Sequence, residues 1–405
     1  GGIIRAVYSS SNGLEKRPRL AFRNTDGSHF PCWRQTSLGC IIEPYSEKVY
    51  GEHDYEVLTS AREGLQRQED HFGSKQRHDT DGYNIIPFGY CTYRNRSDDG
   101  KFAFNINTIS EKAIVSKFYP VFRFTNANST FMAEFLNSSP RVKKKLSVLA
   151  VGTSQVVLSF EALKAAKFDL PCKDEQDKIA AFLECLNTRI ENQRTLVVAL
   201  KKYKRGLLSQ LIAQKKAFDT SGEWKTVKLG HIFKERTERA KGNETLLAVT
   251  ISNGVQRRDE IDLKDNSSDD KSNYKCVYIG DIAYNTMRMW QGASGVSPYN
   301  GIVSPAYTIV TPIRPDLHNM TFWAYYFKYS PLVQTFQKYS QGLTSDTWNL
   351  KFPQFSEIAV TMPPISEQDK IAECLSVFDE HCKCEDEKLQ ALLQVRTSLL
   401  QQLFI

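Results

Sequence analysis

Apolar side chains recur along residues 173–213 at alternating steps of four and three. They fall at Ile179, Leu183, Leu186, Ile190, Val197, Leu200, Leu207 and Leu211, with Gln193 and Lys204 as polar breaks. That spacing puts the whole set on one stripe of a helix, in the a and d positions of a heptad. The same phase returns at Ile371, Leu375, Phe378, Cys382, Leu389, Leu392, Leu399 and Leu403. Prolines stand just before each run, at Pro171 and at Pro363–Pro364, and Asp174, Glu175, Ser366 and Glu367 fall in the first turns. These are helix-start signals: a proline loses nothing there, and acceptors satisfy free N–H groups at the positive end of the macrodipole. A helix of some 40 residues is roughly 60 Å long and must bury such a stripe. The obvious partner is the other copy. Spacer packing is therefore expected from Ile179, Leu183, Leu186, Leu200 and Leu207 against Ile371, Leu375, Phe378, Leu392 and Leu399.

The rest of the chain is also doubled. Trp33-x4-Leu38-Gly39 matches Trp224-x4-Leu229-Gly230. "YNIIPFGYCTY" at 83–93 matches "YKCVYIGDIAY" at 274–284, and both read as strand, glycine turn, strand. "IVSKFY" at 114–119 matches "IVSPAY" at 302–307, and "LSFEALKAAKFDLP" at 158–171 matches "LKFPQFSEIAVTMP" at 350–363. The shared "EQDKIA" follows at 175–180 and 367–372. The offsets stay between 188 and 192 in one order, which marks a duplicated domain-plus-helix rather than a solenoid. The expected organisation is a leader or disordered segment at 1–15, a first domain at 16–170, a helical spacer at 171–214, a second domain at 215–362 and a second spacer at 363–405. The fold class is mixed α/β (α+β). If the long helices pair antiparallel as a coiled coil, the two similar domains are related by a pseudo-two-fold axis.

Composition changes this picture little. The 405 residues suffice for two to three domains, with 41% hydrophobic and 24% charged residues. No apolar run reaches the length of a membrane span. The net charge of +7, from 53 Lys+Arg against 46 Asp+Glu, mildly favours a polyanionic partner. Nine scattered cysteines without a framework spacing suit a reducing compartment. In "HCKC" at 381–384, Cys382 and Cys384 point to different sides of a helix, so no metal site is expected. The seven histidines show no ligand or triad spacing.

Several motifs resemble those of the DNA specificity subunit of type I restriction–modification systems. They are "KRPRLAFRN" leading to Trp33, "GDIAYNTMRMWQGASGVSPYNGIVSPAY" at 280–307, "EQDKIA" with a leucine three residues on, and the terminal "LLQQL". The resemblance spans roughly 17–405. It implies two target-recognition domains, each reading one half of a bipartite DNA sequence. It implies helices that set the gap and dock two methyltransferase subunits, with restriction/translocase subunits as further partners in a prokaryotic cytoplasm. S-adenosylmethionine, ATP and Mg2+ would serve those partners, and this chain would bind no cofactor and catalyse nothing. The sequence agrees: it has no GxxxxGK[ST], no GxGxxG and no Asn-Pro-Pro-aromatic tetrapeptide, and "MPPI" at 362–365 is not one. The acidic fragments "DEQDK" and "EDEK" lie on the helices and read as solvated charge. The repeats differ at Tyr90 against Asp281, as expected if each domain reads a different half-site. A coiled-coil scaffold unrelated to DNA remains the rival reading of the same architecture.

Base and phosphate contacts need cations and amides on loops. In the first domain "YRNRSDDGK" at 93–101 supplies Arg94, Asn95, Arg96 and Lys101. The aligned "YNTMRMWQG" supplies Asn285, Thr286, Arg288 and Gln291, with Trp290 either stacking or filling the core. A second loop pair precedes the helices: Thr153, Ser154 and Gln155 in "VGTSQV", and Thr344, Ser345 and Thr347 in "QGLTSDTWN". Such glycine-led loops either approach a phosphate or are ordinary turns. "RVKKKL" at 141–146 either grips phosphate or is the wet face of a helix. "KKYKR" at 201–205 reads as helix surface, and "KDNSSDDKSN" at 264–273 as a solvated insertion.

Overall fold

A computed structural model describes the chain except residues 1–4, 7–17, 19, 74–78, 215, 219–221, 243, 252, 262–269, 345–346 and 405. Most of the 1–15 leader and of the 264–273 insertion, and Ser345, therefore lie outside the described residues. The chain divides into two compact units, Gly1–Gln193 with Lys388–Ile405, and Arg194–Glu387.

In the first unit, one four-stranded sheet runs in the order Phe104–Ile106, Cys91–Tyr93, Val121–Phe124, Ile42–Tyr45, all antiparallel. A second runs Gly64–Arg67, Glu56–Ala61, Lys112–Val115, Asn84–Pro87, with one parallel pair. The strand–turn–strand expected at 83–93 is Asn84–Pro87 followed by Cys91–Tyr93. Arg34–Ser37 pairs with Lys167–Leu170, so the two ends of the globular part meet where the long helix Lys173–Ile212 begins. Helices Ser129–Ser138 and Pro140–Leu149 close the core with Trp33, Phe131, Met132 and Phe135.

The second unit repeats this closure: Lys225–Lys228 pairs with Ala359–Met362 just before the helix Ile365–Leu403. Its four-stranded sheet runs Phe233–Glu235, Tyr307–Pro312, Ile282–Asn285, Ser294–Val296. Lys275–Val277 and Ile282–Asn285 are the strands expected at 274–284. The Tyr90/Asp281 difference has a local reason. Asp281 is buried and takes a two-pronged pair from Arg236, Nε to Oδ2 at 2.8 Å and Nη2 to Oδ1 at 3.0 Å. Tyr90 instead meets Tyr45 edge-on, with ring centroids 5.1 Å apart.

The long helices meet within each unit. In the second, Lys201 pairs with Asp386 at 2.9 Å and Lys204 pairs with Asp379, while Tyr203 lies 5.4 Å from Phe378, so these segments run antiparallel. In the first, Arg396 donates to Asn187 at 2.7 Å and to Glu134 at 2.6 Å. The stripe does more than join helix to helix. Ile179 and Leu183 enter the domain core with Trp33 and Phe131, joined there by Leu400 and Leu403. Ile371 and Leu375 do the same with Phe322 and Trp323, joined by Leu208 and Leu211, and Leu207 packs against that core. Leu186, Leu200, Phe378, Leu392 and Leu399 are half-buried.

The repeated "EQDKIA" is not the solvated charge expected of "DEQDK". Gln176 is buried, donates to the Pro171 carbonyl at 2.9 Å and accepts from the Asn128 amide N–H at 2.9 Å. Gln368 repeats both bonds, at 3.0 Å each, with Pro363 and Asn319. Asn128 and Asn319 cap the helices Ser129–Ser138 and Met320–Tyr326. Glu175 and Glu367 are buried, as is Glu385 of "EDEK", whereas Asp174 and Glu387 are exposed as expected. No helix among the described residues is long and apolar enough to cross a membrane.

Candidate nucleic-acid interface

The two loops singled out in each domain come together. In the first domain Arg96–Ser97 pairs with Val156–Val157, and the Leu158 N–H donates to the Asn95 carbonyl at 2.9 Å. Gln155 Nε2 donates to Asp98 at 3.0 Å across the same junction. In the second domain the Leu350 N–H donates to the Thr286 carbonyl, again at 2.9 Å, and Trp290 meets Trp348 edge-on at 5.2 Å. Each second loop is pinched by an isolated bridge, Val151 with Val157 and Gln341 with Asn349. Within it Gly152 and Gly342 sit at φ of +142° and +141°. L side chains rarely adopt this conformation, and an added Cβ would also fall on the Gln155 or Thr347 carbonyl. The repeat thus extends to the backbone of the loops.

Arg94, Arg96, Lys101, Thr153, Ser154 and Gln155 are exposed on the first domain. Lys101 lies 3.4 Å from Asp99, which Arg62 also holds at 2.8 Å. The Ser97 hydroxyl, ahead of the Lys101 amide and the Arg62 guanidinium, brings the Asp99 carboxyl down to about 2. Exposed pairs of this kind are worth little. Asn95 is half-buried with its side-chain oxygen turned inward.

In the second domain Asn285, Arg288 and Gln291 line one concavity of about 440 Å3 with Met287, Trp290, Ser304, Ala306 and Tyr307. Thr286 does not reach it. It is only 7% exposed, and its hydroxyl donates to the Ala306 carbonyl at 2.7 Å, so its role is to brace the loop rather than to touch a base. Trp290 is half-buried, with its indole N–H given to the Met287 carbonyl at 3.0 Å. Thr344 and Thr347 are exposed and bonded to one another in their turn.

Three features escaped the sequence reading. Lys328 is largely buried and donates to the Ile251 carbonyl at 3.1 Å and to that of Gly292, at the end of the loop 284–292. Burial, with Lys204 adding repulsion, pulls its ammonium down to about 8. The capping residues Asn128 and Asn319 were visible only as an Asn-x-Thr before an apolar run, twice at the repeat offset. The exposed Phe118 lies under the Arg96 guanidinium, 5.2 Å from the ring centroid. The "RVKKKL" run belongs to the helix Pro140–Leu149, with Val142 and Leu146 buried and its cations outside, as a wet face. In "KKYKR", Lys201 and Lys204 are spent on Asp386 and Asp379.

The sequence matches the type I restriction modification DNA specificity domain twice, over residues 44–200 and 221–394. Among solved structures, the S subunit of the type I restriction–modification system of M. genitalium aligns with a TM-score of 0.56 at 16% identity, covering 96% of this chain and 99% of that one. A chain from a structure on complex assembly and conformational transition of a type I R-M system aligns with a TM-score of 0.55 at 16% identity, covering 93% and 98%. At that identity the likeness carries the fold, two repeats joined by helices, while the doubled domain match carries the family. The chain belongs to the type I restriction–modification DNA specificity family and is a sequence-specific DNA recognition subunit.

Proposed function

We propose that each globular domain reads one half of a bipartite target, and that the long helices set the gap and dock two methyltransferase subunits. The observation that carries this is the repeated loop pair. Two domains offer the same backbone frame, the Leu158–Asn95 and Leu350–Thr286 bonds, but fill it with different side chains. That is the expected result of one reading device adapted to two sequences. Base edges would be met by Arg94 in one half, and by Asn285, Arg288 and Gln291 in the other, since Arg suits guanine and Asn or Gln suits adenine. Docking is supported by apolar side chains left exposed on the helices, among them Val198, Val377 and Val395.

On this reading, methyl transfer from S-adenosylmethionine and ATP- and Mg2+-dependent cleavage belong to partner modification and restriction subunits in a prokaryotic cytoplasm. Exchanging residues 16–170 for those of a relative should change one half-site and leave the other intact. Duplex affinity should fall steeply with salt. A swap that altered both half-sites, or binding indifferent to DNA and salt, would return the chain to a scaffold role.

A further inference from the structure

The two domains share a turn that they use differently. In the first, Tyr119 N–H donates to the Ser116 carbonyl at 2.9 Å. In the second, Tyr307 N–H donates to the Ser304 carbonyl at 3.0 Å. The residue before the tyrosine is Phe118 in one and Ala306 in the other. In the second domain this turn lines the concavity that holds Asn285, Arg288 and Gln291. The first domain therefore places Phe118 where the second leaves open space.

Phe118 is 53% exposed. Its surroundings hold it out. Asn84 Nδ2 donates to the Tyr119 carbonyl at 2.9 Å, and Thr92 Oγ1 donates to the Pro120 carbonyl at 2.8 Å, fixing the turn from beneath. Arg96 lies 5.2 Å and the Lys117 ammonium 5.8 Å from the ring centroid. A rigid apolar tip flanked by two cations fits a polyanion with apolar surface inside it. Duplex DNA offers that, with phosphates for the cations and a base for the ring.

We infer that Phe118 is a specificity-determining residue of the first half-site, making an apolar contact with a base while Arg96 and Lys117 engage the strand beside it. The inference rests on the DNA-reading role proposed above. The base surface is either a thymine methyl in the major groove or the face of a partly unstacked base.

The test is selection from duplexes with a randomised 20-base-pair core, using the full chain as wild type, Phe118→Ala and Phe118→Trp. Phe118→Ala should lose preference at one position of one half-site and bind the wild-type motif about tenfold more weakly. The salt slope should not change, because Phe releases no counter-ion. Phe118→Trp should keep the preference. Deoxyuracil in place of thymine at the affected position should reproduce the loss if a methyl is read, and leave it absent if a base face is stacked. An unchanged motif and affinity for Phe118→Ala, with wild type selecting a bipartite motif, overturns the inference alone. So does a loss spread over both half-sites. A wild-type chain that selects no motif removes the DNA-reading role and the inference with it.

Discussion

The side-chain amide of Asn128 donates to Oδ1 of Asp177 at 2.7 Å, while its own Oδ1 accepts the Phe131 N–H at 3.0 Å. One residue thus caps a domain helix and latches it to the start of the long helix. Asn319 does the same with Asp369, at 2.8 Å, and Phe322, at 3.0 Å. Asn128→Ala should destabilise its unit by about 1–2 kcal/mol, the usual cost of a lost cap, in chemical denaturation. Asn128→Asp keeps the cap acceptor but sets a carboxylate against Asp177. It should recover only part of the loss, because Lys173 holds the Asp177 carboxyl below its ordinary value and keeps it charged.

Lys328 gives a pH signature. Its folded value of about 8 lies below that of an unfolded lysine. The unfolded chain therefore binds more protons between roughly pH 8 and 10.5, and this group's contribution to stability rises with pH over that window. The penalty is fully present below pH 8. The difference in unfolding free energy between wild type and Lys328→Met should change with pH across the window and be flat between pH 6 and 7.5. Denaturation series at several pH values read it directly.

Gly152→Ala and Gly342→Ala should each damage one reading loop without unfolding a domain. Both glycines combine a positive φ with a backbone oxygen where a Cβ would go, and both loops are exposed. Strain of this kind costs on the order of 1–3 kcal/mol. Gly152→Ala should weaken discrimination at the first half-site and Gly342→Ala at the second, measured with duplexes mutated in one half at a time.

Much of the fold was legible because periodicity and duplication are properties of spacing. The heptad stripe, the strand pair around each turn and the shared offsets need no knowledge of neighbours. Pairing of the reading loops was half legible. Residue types mark the loops, but which side chains turn inward depends on the pleat of the short strands. Thr286 and Asn95 stand at the same repeat position, and both face in. The Asn128 latch lay hidden because its partners, Gln176 and Asp177, are almost 50 residues away and looked like surface charge.

The spacer offers a mechanical test. Inserting four to seven residues within 193–204 should widen the gap between half-sites while leaving both half-sites unchanged, because residues 173–183 and 365–375 remain anchored in their own domain cores. Selection on randomised duplexes gives the gap length directly.

The most direct measurement is genome-wide DNA methylation in cells expressing this chain with a type I methyltransferase subunit that it assembles with. A new motif of two half-sites at a fixed separation, absent when the chain is omitted, is the predicted result. Methylation that is unchanged by the chain, with the methyltransferase shown to be active, would contradict the account.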